Sequence, residues 1–251
     1  MNSNGKIKRK LIDVSEHQGS IDWEKVKPHI DGAILRCGYG SDYPGQDDAC
    51  FRRNADECTR LGIPFGVYLY SYAKTADKAR SEAAHVLRLI QGYRLSYPVY
   101  LDLEEPGTQA GAMERACIFG DIIEKAGFWC GVYANLNWWE NQLAGLERFT
   151  KWVAQYYSKC EYTGAHLDIW QYSSKGSVPG INGNVDMNEC YRDFSAEILG
   201  KKKKTVEELA REVIGGVWDN GDARKEKLTS AGYDYEAVQS LVNRLLRREK
   251  G

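Results

Sequence analysis

The segment PVYLDLEEP, Pro98 to Pro106, runs an apolar strand-like stretch into three carboxylates, Asp102, Glu104 and Glu105. Successive side chains of a strand point to opposite faces, so Asp102 and Glu104 share one side while Leu101 and Leu103 take the other. Two like charges in one small space raise the pKa of at least one of them. A protonated carboxyl beside an ionised one is the pair that glycoside hydrolysis uses. Acidic strand ends also occur as inert, solvated loops, so this pair alone decides nothing. Two further acids stand in comparable places. Asp13 closes the strand-like LIDV, and Asp186 lies in PGINGNVDMNEC, just after the last expected strand.

Aromatic residues recur at the same strand ends: Tyr68 and Tyr70, Tyr100, Tyr133, Trp152, and Trp170 with Tyr172. Their faces can stack on the C–H faces of sugar rings, and acids ringed by aromatics suggest a carbohydrate cleft. For Tyr100 and Tyr133, filling a barrel interior is an equal alternative. Arg36 follows an apolar strand and can orient an acid by bidentate pairing or form a structural ion pair. Gln171 and Asn188 can hydrogen-bond sugar hydroxyl or acetamido groups, or tie down a loop. His17 lies near Asp13 but has no His or Cys partner at metal-ligand or triad spacing, and reads as structural. No metal or other cofactor is expected.

These side chains need a scaffold that brings remote strand ends together. From Leu11 to about Asp168, seven short segments rich in β-branched and aromatic residues read as strands: LIDV, GAILRC, FGVYLY, PVYLDL, FWCGVYA, KWVAQY and LDIWQY. Helical patterns lie between them. In TADKARSEAAHVLRLIQG, the residues Ala79, Ala83, Val86, Leu87 and Ile90 form one stripe before Gly92; AMERACIFGDIIEKAG closes at Gly127. Repeated strand–helix units imply a mostly parallel sheet. The fold class expected is α/β, a shortened or irregular (β/α) TIM-like barrel, since the segment falls short of the about 250 residues of a full one. A barrel gathers the C-terminal ends of its strands at one mouth, where the acids would meet.

After YRDFSAEILG comes KKKKT, and the composition shifts to Glu, Lys, Leu and Ala with helical period. The division expected is a tail over 1–9, a barrel over 10–195, a Lys-rich linker over 196–204 and a small three-helix bundle over 205–251. Thr205 and Glu208 form a capping box before VEELAREVI, Gly215-Gly216 ends that helix, and Asp222 and Asp234 can cap the next two. The lysine run from Lys201 to Lys204 reads as solvated linker.

Bulk composition removes several classes. The 251 residues carry 34 basic and 35 acidic side chains, so no overall field favours nucleic acid. No apolar run approaches the roughly 20 residues that span a bilayer, so no membrane insertion is expected. The basic start is followed by only Leu11-Ile12 before Asp13, and gives no secretory signal. Seven cysteines without zinc spacing read as free thiols, mostly buried.

The strings IDVSEHQGSIDW, AILRCGYG, GVYLYSYA, PVYLDLE, WVAQY and DIWQYSSKGSVPGINGNVDMN, in this order, resemble the glycoside hydrolase family 25 lysozymes over residues 10 to 194. The tail TVEELAREVIGGVWDNGDARKEKLTSAGYDYEAVQSLVNRLL resembles the CW_7 cell-wall-binding repeat of phage and bacterial lysozymes. By position, the family's general acid falls on Glu104 and its second essential carboxylate on Asp102. Asp13 and Asp186 take the remaining acidic positions, and Glu105 takes none. The resemblance implies cleavage of the β-1,4 bond between N-acetylmuramic acid and N-acetylglucosamine of peptidoglycan, with retention. It leaves two mechanisms open: direct attack by a carboxylate, or attack by the substrate's 2-acetamido oxygen with Asp102 assisting, the route favoured here. A chitinase-like motif would place an acid at Tyr100, which counts against that rival; a catalytically inactive wall-binding barrel is the other.

Substrate contacts are expected from Tyr68, Tyr70, Arg36, Tyr133, Trp152, Gln171, Tyr172 and Asn188. In the tail, Asp219, Gly221, Arg224, Tyr233 and Tyr235 are candidate contacts to muropeptide. The module order suggests an endolysin made in a host cytoplasm and acting on the wall after release, with a secreted autolysin as the alternative.

Overall fold

The structure is a computed structural model that describes residues 8–200, 204–230 and 233–248. The first seven residues of the expected tail and Lys201 to Lys203 of the expected linker lie outside the described residues. The described residues divide into two units, one ending at Leu199 and one beginning at Gly200.

In the first unit eight strands close a barrel in the order β1 to β8. They are β1 (Arg9–Val14), β2 (Gly32–Tyr39), β3 (Phe65–Tyr70), β4 (Val99–Asp102), β5 (Cys130–Asn135), β6 (Thr150–Ala154), β7 (Ile169–Gly176) and β8 (Val185–Cys190). The strands β1 to β7 pair in parallel. The last, β8, is antiparallel to both of its neighbours, β7 and β1. The helices are α1 (Trp23–Val26), α2 (Phe51–Leu61), α3 (Ala76–Leu89), α4 (Ala112–Lys125), α5 (Leu136–Asn141) and α6 (Phe194–Ile198). No helix joins β6 to β7, and β7 returns to β8 as a hairpin, so the expected irregular barrel is what forms.

Each strand divides its side chains between two cores. Outward residues such as Ile12, Leu35, Val67, Leu101 and Val132 are buried with the inner faces of the helices, Ala83 and Val86 of α3 and Phe119 and Ile123 of α4 among them. Inward residues Leu11, Ile34, Tyr100, Tyr133, Trp152, Ile169 and Cys190 form the barrel interior. Tyr100 fits there because the neighbouring strand offers Gly131; a Cβ at that glycine would collide with the Tyr100 ring and Thr150 Oγ1.

Two expected boundaries move. Arg9 already pairs with Cys190 in the β1–β8 ladder, so it belongs to the barrel and not to a tail. Residues 196 to 198, expected in the linker, lie in α6. Its Phe194 is fully buried, with ring centroids 5.9 Å from Tyr97 and 6.3 Å from Trp129, and closes the barrel floor. All seven cysteines are free; Cys37, Cys58, Cys130 and Cys190 are buried, the others half-buried.

The second unit holds α7 (Val206–Ile214), α8 (Gly221–Ser230) and α9 (Tyr235–Arg248). Thr205 and Glu208 make the expected capping box, and the Asp234 carboxylate accepts from Ala237 N–H at 3.1 Å. Asp222 does not cap α8: it sits inside the first turn, after Gly221. The three helices bury Leu209, Val213, Leu228, Val238, Leu241 and Val242 against one another.

Candidate active site

The parallel strands deliver Asp13 and Asp102 to the mouth from the C-terminal ends of β1 and β4. Asp186 arrives by a different route. It is the second residue of β8, and because β8 runs antiparallel, its beginning lies at the mouth, with Asp186 directly across the ladder from Asp13. The expectation that Asp186 follows the last strand is therefore corrected. VDMNEC does not look like a strand because its inward positions nearest the mouth, Asp186 and Asn188, are polar: Asp186 lines the site and Asn188 holds Asp13.

Asp13, Asp102, Glu104 and Asp186 line one pocket of about 210 Å³, together with Tyr68, Tyr133, Trp152, Tyr156, Gln171 and Ser174. The Trp152 ring lies edge-on to three tyrosines, with centroids 4.6 Å from Tyr133, 5.2 Å from Tyr100 and 6.0 Å from Tyr68. A second cavity of about 320 Å³ shares Glu104, Tyr133 and Tyr156 and adds Asn135, Ala154 and Gln155. Glu104 thus borders both spaces, where a group that protonates a bond between two sugar rings has to be.

All four carboxyls are pushed upward. Burial raises Asp102 well above the ordinary range, and Glu104 and Asp13 raise it further against the opposing pull of Arg36. Its Oδ1 has no hydrogen-bond partner among the described residues. Burial and then Asp186 lift Asp13 to about 7, although Asn188 and Gln171 donate to it. Burial also raises Asp186, and its hydrogen bond with Asp13 opposes that rise. Glu104 stands exposed at the rim, yet loss of water contact inside the pocket raises its carboxyl, followed by Asp186 and Glu105. The pocket therefore favours the protonated form of its carboxyls, the condition a general acid needs.

Several expected contacts are reassigned. Arg36 does not line the pocket; its guanidinium donates to Asp48 and Glu16, each at 2.8 Å. Tyr70 donates to Glu105 at 2.9 Å and stands outside the acidic pocket. Tyr172 falls on the outer face of β7, packed on Trp170 at 5.6 Å, because strand alternation sends it opposite to Gln171. Asn188 is fully buried beneath Asp13, beyond reach of a substrate. Tyr100 fills the barrel. His17 contacts Arg36, as a structural residue would.

Tyr156 and Ser174 are lining residues that sequence reasoning missed. Tyr156 had a readable signal, being an aromatic at the end of KWVAQY, the position that singled out the other rings. Ser174 had none. A cavity of about 630 Å³ lies at the opposite end of the barrel, by Trp129, Phe149, Asp168 and Arg192, but its arginines are already paired: Arg192 with Asp168 and Glu197, and Arg148 with Asp121 and Glu124.

In the second unit, the candidate Arg224 reaches the candidate Asp219: it donates to the Asp219 carbonyl at 2.7 Å, Asn220 Oδ1 at 2.8 Å and Gln239 Oε1 at 3.0 Å, while Gly221 opens α8. Tyr233 packs on Trp218, and Lys225 lies over the Tyr235 ring. A groove of about 730 Å³ lined by Val206, Glu207, Ser240, Asn243, Arg244 and Arg247 contains none of the five.

The model of "Glycosyl hydrolases family 25" matches residues 12–181, and that of the "CW_7 repeat" matches residues 207–246. The uncharacterized protein YegX of Escherichia coli O157:H7 is 31% identical over 185 residues, covering 70% of this chain and 67% of that one. The autolytic lysozyme of Clostridium acetobutylicum is 28% identical over 245 residues, 95% of this chain and 66% of that one. Among solved structures, the modular autolysin LytC of Streptococcus pneumoniae, determined with a synthetic peptidoglycan ligand, superposes with a TM-score of 0.67 at 32% identity. That match covers 73% of this chain, which spans 47% of LytC. A family match over residues 12–181, which runs from β1 to β7 and includes Asp13, Asp102 and Glu104 at the barrel mouth, places this chain in glycosyl hydrolase family 25.

Proposed function

We propose that this chain is a peptidoglycan hydrolase of the lysozyme type, an N-acetylmuramidase that cleaves the β-1,4 bond between N-acetylmuramic acid and N-acetylglucosamine with retention. The observation that carries this reading is the single pocket in which Asp13, Asp102, Glu104 and Asp186 meet beside aromatic rings. Glu104, raised by its surroundings and bordering both cavities, donates a proton to the glycosidic oxygen and later takes one from the attacking water.

Asp102 favours the substrate-assisted route. Burial disfavours the free carboxylate that direct attack on the anomeric carbon needs. Its carboxyl, which lines the pocket, instead offers an acceptor to the N–H of a 2-acetamido group, turning the acetamido oxygen toward the anomeric carbon. The positive charge that then develops on the substrate is stabilised by the acids around it.

The CW_7 unit supports the same substrate, since a wall-binding module raises the local concentration of the enzyme at its polymer. The place of action is then the bacterial wall, reached after release from a host cytoplasm. Digestion of purified peptidoglycan, borohydride reduction and mass spectrometry test the reading. Muramitol at the new reducing ends is expected; reduced glucosamine ends, or no new ends, overturn it. Deleting residues 201–251 should reduce co-sedimentation with cell walls, and unchanged sedimentation removes the tail from wall binding.

A further inference from the structure

Asp13 is held from below by a hydrogen-bond chain that the reaction as described does not use. Asn188 Nδ2 and Gln171 Nε2 both donate to the same oxygen, Asp13 Oδ2, at 2.8 and 3.0 Å. Behind them, Trp152 Nε1 donates to Asn188 Oδ1 at 2.8 Å, and the hydroxyls of Tyr133 and Tyr156 donate to Gln171 Oε1 at 2.9 and 3.0 Å.

The direction of this chain is fixed by chemistry. An indole N–H can only donate, so the Asn188 oxygen must face Trp152 and its NH₂ must face Asp13. Asp13 Oδ2 is then an acceptor twice over and cannot carry a proton. A proton on Asp13 is then left to Oδ1, and Asp186, directly across the ladder, hydrogen-bonds to the Asp13 side chain. We infer that Asn188 and Gln171 are positioning residues that hold Asp13 Oδ2 as an acceptor, so that a proton on Asp13 sits on the oxygen turned toward Asp186 and the pocket rather than toward the protein interior.

This deepens the proposed hydrolase reading and rests on it. Six titratable groups surround Asp13: Tyr68 of β3, Asp102 and Glu104 at the end of β4, Tyr133 of β5, Tyr156 after β6 and Asp186 of β8. From β2, Arg36 is engaged by Asp48 and Glu16. None of these replaces the two amide donors on Oδ2, and those donors oppose the rise that burial and Asp186 impose on Asp13. Without them the pair titrates at higher pH. Asn188 is fully buried, so its loss acts through Asp13 and not through substrate binding.

The test compares Asn188→Leu, Asn188→Asp and Gln171→Met with wild type and with Glu104→Gln on soluble peptidoglycan fragments, following kcat, KM and their pH dependence. Asn188→Leu is expected to lower kcat roughly 10- to 100-fold with KM little changed, and to move the step in kcat/KM near pH 7 upward by about one to two pH units. Gln171→Met should move that step in the same direction. Asn188→Asp keeps the size and the Trp152 bond, and its new carboxyl donates only when protonated. Its activity should therefore recover toward wild type as the pH falls, while circular dichroism shows the same fold throughout. If Glu104→Gln is inactive but all three variants keep the wild-type pH profile, the positioning role is wrong and the hydrolase reading stands. If Glu104→Gln retains wild-type activity, the hydrolase reading itself fails. If Asn188→Leu does not fold, Asn188→Asp and Gln171→Met decide alone: no pH-dependent recovery and no shift overturn the inference.

Discussion

Replacing Asp13 by Asn should make the protein more stable and less active, and the size of the gain can be worked out. Asp13 is held at about 7 in the fold, against a reference value of 3.8. A carboxyl whose folded pKa is raised binds protons more tightly when folded, so stability falls as pH climbs from about 4 to about 7 and stays low above that. Three pH units at 1.36 kcal/mol each give a cost of about 4 kcal/mol at pH 8, a ceiling because Asp13 and Asp186 titrate as a pair. An amide at this position keeps an oxygen for the Asn188 and Gln171 donors and turns its NH₂ toward Asp186, where it donates instead of repelling. For a unit of this size, about 4 kcal/mol corresponds to a rise of roughly 10 °C in melting temperature. Thermal unfolding of wild type and Asp13→Asn, followed by circular dichroism at pH 8 and pH 4, is the assay. The variant should melt higher at pH 8, and the difference should shrink toward zero at pH 4. Equal melting at pH 8, or a gap that does not close on acidification, would refute the argument that the acid cluster is held at a cost to the fold.

Other expectations follow from single contacts. Glu104→Gln should lower kcat by about 10²- to 10⁴-fold with little change in KM, read from release of reducing ends. Gly131→Ala drives a methyl into the Tyr100 ring and should destabilise the barrel by about 1–3 kcal/mol or more in denaturant unfolding. Phe194→Ala should cost about 3–5 kcal/mol and lower the melting temperature of the barrel, because that ring closes its floor; a linker residue would leave it unchanged.

Much of the barrel was legible because its signals are local. The seven strands read from the sequence correspond to β1 to β7, and the stripe Ala79, Ala83, Val86 faces the sheet as the 3.6-residue period requires. The eighth strand was not legible. Its inward residues Asp186 and Asn188 are polar for the sake of the site, which erases the apolar pattern by which strands are recognised. The same strand exposes the limit of reading acids at C-terminal strand ends, a rule that assumes parallel strands, whereas Asp186 enters from the start of an antiparallel one. Arg36, Tyr70 and Tyr172 were expected near substrate by residue type. Their partners, Asp48, Glu105 and Trp170, take them elsewhere.

The sequence by itself determined which chemical groups are present and which of them share a face. Asp102 and Glu104 are two residues apart at the end of a strand, and the alternation of a strand sends them the same way whatever the rest of the chain does. Composition and capping likewise marked the change from barrel to helical module near residue 200 without help from packing. Only the tertiary structure decided what surrounds each acid. Asn188 reaches Asp13 across 175 positions, and Gln171 across 158. Both amides could equally have met a sugar or a loop. Closing the barrel buries them beneath Asp13, and burial, distance and the direction of each N–H then convert a list of acidic residues into a set with different proton affinities.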